Sequence, residues 1–161
     1  GALDEINQEL KHNPENLRSL YVRGLIFGFW GRLPEAEEDF QRFVAWAPKE
    51  WAGWNDFSWI LAKEKKYEEA KEAILTALRE VPEADKNPWL WNSLGVAELN
   101  LKEYKEAEKS FQEALSAAEN LTFDDFQKAY PGNDPAELGE GLEAFKKAIS
   151  ENLRRSRVVH K

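Results

Sequence analysis

The sequence predicts an all-α chain of antiparallel helix pairs stacked in tandem, and three observations carry that prediction. Between Pro88 and Leu121 two apolar stripes meet at Lys102-Glu103. Trp91, Leu94 and Gly95 lie before the break and Ala107, Phe111, Ala114 and Leu115 after it, each set at the three- and four-residue steps of one helix face. The same marks return at a spacing of 34 residues along most of the 161-residue chain. Composition agrees: 42% hydrophobic and 32% charged residues suit a soluble helical protein and argue against a disordered one. A lone helical hairpin cannot bury both its faces, so the pattern asks for neighbours of its own kind.

This pattern, with Trp and Leu-Gly on the first helix and Ala and Phe on the second, resembles the tetratricopeptide repeat (TPR). Glu98 stands where that family usually has Tyr, and Glu119 where it has the closing Pro. The resemblance implies a right-handed α-solenoid of antiparallel helix pairs ending in a C-terminal capping helix, a single TPR domain over residues 1–161.

In chain order, residues 2–16 carry Ala2, Ile6, Leu10 and Pro14, the marks of a second helix. They read as a half repeat whose first helix is missing, or as a stand-alone capping helix. Residues 17–50 form the first full repeat, with Leu20, Gly24 and Phe27 followed by Ala36, Phe40, Phe43, Val44 and Pro48. Gly31 relaxes the turn between them and Pro34 opens the second helix. Arg23 departs from the family's more usual Leu. Residues 51–84 follow without a gap, marked by Trp54, Phe57, Ser58 and Leu61, then Ala70, Ile74, Ala77, Leu78 and Pro82. Asp85-Lys86-Asn87 is inserted next, with Asn87 as N-cap and Pro88 as the first residue of the third repeat, 88–121.

Residues 122–155 read as a degenerate capping repeat. Thr122 with Asp125 resembles a capping box for a short helix, which Pro131-Gly132-Asn133-Asp134-Pro135 breaks. Asp134 and Pro135 then start a helix with the stripe Leu138, Leu142, Phe145, Ile149 and Leu153, read as a second helix covering Phe111 and Leu115. Residues 156–161 read as a frayed basic tail.

No catalytic constellation is present. His12 and His160 have no Ser, Cys or carboxylate at a recognisable spacing, and with no Cys there is no disulfide or thiolate site. Gly139-Glu140-Gly141 lies inside a helical stripe with no strand before it, unlike a phosphate loop. Asp124-Asp125 and Glu35, Glu37, Glu38 and Asp39 read as solvated first turns. A net charge of −8 argues against nucleic acid, and no apolar run is long enough to cross a bilayer. The expectation is therefore no enzyme, no cofactor and no metal, with the compartment undecided.

The first helices carry a second stripe, away from their core marks: Tyr21, Leu25 and Phe29, then Asn55, Trp59 and Lys63, then Trp89, Asn92, Val96 and Asn100. In arrays of the family this face lines the concave groove. Here it is rich in Tyr, Trp, Phe and Leu, where a solvated face is polar. It binds a partner's peptide or helix, meets other repeats or another copy, or receives the chain's own C-terminal segment. Family members that hold acidic chaperone tails use a clamp of Lys, Asn and Arg. At the matching positions this chain has Tyr21, Leu25, Asp56, Trp89 and Ser93, which excludes such a clamp. Asn55 and Asn92, equivalent in successive repeats, suit an extended peptide backbone. The sequence thus points to a non-enzymatic scaffold that holds an apolar or aromatic segment in the groove. The alternative is a structural module for self-association or packing within a larger protein.

Overall fold

A computed structural model describes residues 1–129 and 135–158, the side chains of 135–140 excepted. The break at residues 131–134 with its Asp134 cap, the side chain of Leu138, and His160 lie outside the described residues. Among those described there are nine α-helices and no strand. They are α1 (Ala2–His12), α2 (Leu17–Phe29), α3 (Leu33–Trp46), α4 (Trp51–Lys63), α5 (Tyr67–Glu80), α6 (Pro88–Asn100), α7 (Tyr104–Glu119), α8 (Phe123–Ala129) and α9 (Pro135–Val158). They gather into two compact units, Gly1–Ala84 and Asp85–Lys161, and the division falls at the three-residue insert.

Each helical hairpin is closed by the same local device. Gly31, Lys65 and Lys102 take φ of 79°, 62° and 63°, the left-handed conformation that reverses a chain after a helix. The following N–H groups, of Arg32, Lys66 and Glu103, reach back to the carbonyls of Phe27, Leu61 and Glu98 at 2.8–2.9 Å. This satisfies carbonyls that the helix end would otherwise leave bare. The turn is therefore set by backbone hydrogen bonds, and glycine is used in only one of its three copies.

Inside each hairpin a small residue lets the paired helix come close. A side chain at Gly24 would meet the Phe40 ring at 3.0 Å, and one at Gly95 would meet Phe111 at 2.5 Å. Phe40 and Phe111 are fully buried there. Ser58 occupies the equivalent place in the second repeat and donates to the Ala70 carbonyl at 3.0 Å.

In the first unit α1 packs on α2, α2 on α3, and α4 on both α3 and α5 while also touching α2. Phe27, Ala36, Phe40 and Ile60 form a core there, with Tyr21, Leu25, Phe57 and Trp59 against it. Arg23 and Asp39 join α2 to α3 through two hydrogen bonds of 2.8 and 2.6 Å. Asp39 is only 1% exposed, so the solvated first turn expected of it is not what forms. Its carboxylate faces inward because Arg23, in the family's Leu position, supplies a charge to meet it.

In the second unit α6 pairs with α7, and α9 packs along α7 while touching α6. That is the contact α4 makes with α3 and α2 in the first unit. Register counting assigned α9 to a second helix, but its packing is that of a first helix placed as a cap. The expected stripe does the packing: Leu153 meets Ala107 and Phe111, and Ile149 meets Ala114 and Ala118. Residues 156–158 belong to this helix and are no frayed tail. Ser156 is buried, and Arg157 Nε donates to Glu108 of α7 at 3.2 Å.

The capping box ahead of α8 forms as expected: the Asp125 N–H donates to Thr122 Oγ1 and the Thr122 N–H donates to Asp125 Oδ2. Asn87 Oδ1 likewise accepts the Leu90 N–H at 3.1 Å and starts α6. Trp54 and Trp91 are half-buried, and each indole N–H donates at 2.8 Å to a carbonyl six residues earlier, Pro48 and Asp85. They pin the loop before a first helix as well as packing beside it.

Candidate partner-binding face

The residues proposed for the groove fall into two groups with different surroundings. In the first unit they come from α2 and α4, which approach closely because Gly28 leaves room. A side chain there would strike Ile60 at 2.8 Å and Trp59 at 3.0 Å. With that space free, the Trp59 ring lies over α2 and comes within 5.4 Å of Phe29. Lys63, one turn on, sets its ammonium 5.1 Å above the same indole, in cation–π range. Trp59 is half-buried while Phe29 is 76% exposed. Phe29, Trp59 and Lys63 thus make one patch, apolar at its centre and positive on one side.

Tyr21 and Leu25 belong more to the core than to an open face. The Tyr21 ring packs edge-on against Phe40 at 5.7 Å and tilted against Phe43 at 5.3 Å. Its hydroxyl donates a short hydrogen bond to the Asp56 carboxylate of α4. Burial raises the Asp56 pKa above the ordinary carboxylate value, and the hydrogen bond from Tyr21 partly opposes that rise. Leu25 is half-buried against the Phe27–Ile60 core, and Asn55 is half-buried beside Asp56 in α4. Sequence reading singled out Asp56 only as a position that cannot form a chaperone clamp. Its bond to Tyr21 joins side chains 35 residues apart, and nothing local signals it.

In the second unit the corresponding face is covered by the chain itself. The Trp89 ring lies nearly parallel to that of Phe145 on α9, at 5.3 Å and 11°. It is also nearly parallel to that of Phe126 on α8, at 6.1 Å and 22°. Asn92 Oδ1 accepts a hydrogen bond from Asn152 Nδ2 of α9 at 3.1 Å. Val96 packs with Leu99 against the cluster that includes Leu153. Asn100 is exposed and turns its amide back to the Val96 carbonyl at 2.8 Å. The open apolar face expected at Trp89, Asn92 and Val96 is instead the bed on which α9 lies. A first helix apolar on both faces must bury both, and the capping helix supplies the second cover.

No helix among the described residues is long and apolar enough to cross a membrane. The comparisons bear on the fold. Residues 88–121 and 52–80 match two profiles described as tetratricopeptide repeat. A search of curated protein sequences finds no match. Among solved structures the chain is similar to the TPR2B domain of yeast Sti1 in a complex with pHsp70. Identity there is 17%, covering 88% of this chain and 95% of that one, with a TM-score of 0.67. It is similar to MamA 41-end from Desulfovibrio magneticus RS-1 at 17% identity over 97% and 85% of the two chains, TM-score 0.64. It is also similar to the first TPR of Spaghetti (RPAP3) bound to the HSP90 peptide SRMEEVD. There identity is 15% over 84% and 94%, with a TM-score of 0.59. Identities this low speak for the fold alone. With its repeating hairpins and their shared turn and packing marks, the chain has the tetratricopeptide-repeat fold, and residues 52–80 and 88–121 are the segments that match the repeat itself.

Proposed function

We propose that this chain is a non-enzymatic scaffold that takes up an apolar or aromatic segment of a partner protein on its first-helix face. The open part of that face is in the first unit. Phe29 carries the reading: a phenyl ring three-quarters exposed, held beside Trp59 and Lys63 where water gains nothing from it. Large aromatic side chains of this kind are the usual centres of binding energy, because they offer much contact area at small conformational cost. Asn55 lies on the same helix as Trp59 and suits a peptide backbone. Tyr21 and Leu25 support the floor beneath it. In the second unit Trp89, Asn92 and Val96 lie under α9 and Asn100 bonds back to its own helix, so the reading draws on the first unit alone. Of two similar folds, Sti1 TPR2B is in a complex with pHsp70 and the first TPR of RPAP3 is bound to an HSP90 peptide, which supports the class of activity without carrying over their ligands.

The exposure of Phe29 also makes it a cleaner probe than Trp59, which packs on the core. Phe29→Gln should leave helicity and melting temperature unchanged and weaken partner capture by about thirtyfold, the effect of losing a hot spot worth about 2 kcal/mol. The measurement is a pull-down with parent and variant beside a thermal melt of each. If the variant stays folded and captures the same partners equally well, the face is not the binding site. The structural-module reading then replaces it.

A further inference from the structure

The two rings that stack on Trp89 are held in unequal ways. Phe145 belongs to α9, a helix of 24 residues that caps the second unit. Phe126 belongs to α8, a helix of seven residues whose one buried side chain is Phe126 itself. Phe123 is 41% exposed, and Asp124, Asp125 and Lys128 are exposed with it. The main packing of α8 is onto α9, where Phe126 meets Leu142 and lies over Gly141. A helix this short has no standing stability in water. Among the described residues Phe126 is the main inward anchor of α8, with Leu121 just ahead of it in the same cluster, and segments with few buried contacts are the first to open.

From this we infer that α8 is a tethered, displaceable occupant of an aromatic seat made by Trp89, Phe145 and Leu142. When α8 lifts, the seat receives a phenylalanine-type ring from an apolar helix or peptide of the partner. The present occupant states the chemistry: a ring that stacks on Trp89 while Phe123, Asp124, Asp125 and Lys128 stay exposed. This extends the scaffold reading to the second unit and rests on it for the existence of a partner. The release of α8 does not depend on that reading. Because α8 is tethered, it competes at a high effective concentration, so an outside ring gains access only against that competition.

The test uses the full chain and a fluorescein-labelled peptide of residues 121–129, LTFDDFQKA, added in trans. Phe126→Ala should bind this peptide at least about tenfold more tightly than the parent, because the tethered competitor has lost its ring. Adding Trp89→Leu should abolish the gain, and Phe29→Gln should leave it untouched, which separates this seat from the face in the first unit. Hydrogen exchange of the parent gives a second readout. Amides of α8 should exchange about a hundredfold faster than those of α7 and α9. Equal peptide binding by parent and Phe126→Ala, no binding by either, or α8 protection matching that of α7 would each overturn the inference. Unfolding of Phe126→Ala would do so too, since it would make α8 integral to the fold.

Discussion

Arg23 stands where the repeat family more often has leucine, and its charge is answered sixteen residues later by Asp39. The Asp39 side chain is 2% exposed and that of Arg23 18%, and the guanidinium also reaches Asn7 Oδ1 of α1 at 3.1 Å. The bond to Asp39 holds the Arg23 pKa above its ordinary value, with burial pulling the other way. Restoring the family residue with Arg23→Leu should therefore destabilise, by about 3–5 kcal/mol, because it strands a buried carboxylate. The double variant Arg23→Leu/Asp39→Leu should recover most of that loss, and urea melts of the three proteins measure it. A second residue-scale case is Glu64, where α4 ends. Its Oε1 is buried without a hydrogen-bond partner, and Lys66 lies 3.0 Å from Glu37 but 3.7 Å from Glu64. Burial, then repulsion from Glu37, raises the Glu64 pKa, while Lys66 opposes the rise. A raised carboxylate pKa means that Glu64 favours the fold fully only below its unfolded pKa of about 4.3, and loses that contribution as pH rises through the higher folded value. Glu64→Gln should consequently match or exceed the parent's melting temperature at pH 7, with the advantage shrinking as pH falls towards 4. Thermal melts across that range check the sign.

Among the elements, α9 shows how far period counting reaches. Its stripe of Leu142, Phe145, Ile149 and Leu153 was legible because a 3.6-residue period does not depend on what covers it. Which role the helix plays was not legible. The 34-residue register made it a second helix, yet α8 is only seven residues and α9 takes the first-helix place on α7 and α6. Ile149 is fully buried between the two, against Ala114 and Ala118. Ile149→Ala should cost about 2–5 kcal/mol, a lowering of the melting temperature by roughly 5–15 degrees for a chain of this size. A change of a degree or two would show that the cap is loosely held. The insert gained meaning at this scale as well, since Asn87 caps α6 and the Asp85 carbonyl receives the Trp91 indole.

For the whole molecule, charge and exposed surface make opposing demands. A net charge of −8 disfavours self-association, whereas Phe29 at 76% and Trp30 at 63% exposure favour any contact that covers them. Under the scaffold reading the chain stays monomeric, so light scattering over a tenfold concentration range should return a mass near 18.6 kDa throughout. Growth of the mass with concentration would favour the self-associating module instead.

The sequence by itself determined the helices, their pairing and most of their core. These follow from local periods, from caps such as Asn87 and Thr122, and from small residues such as Gly24 and Gly95 set opposite a Phe. It also located the aromatic second stripe, because apolar residues at helical spacing on a face that should be polar are visible without coordinates. What covers that stripe was decided only by the tertiary structure. Trp59 and Trp89 read alike in sequence, yet one stands beside an exposed Phe29 and the other beneath Phe145 and Phe126. The rings on Trp89 come from residues 37 and 56 positions later in the chain. A local pattern records that a face is apolar; which distant side chain reaches it depends on how the chain is folded back.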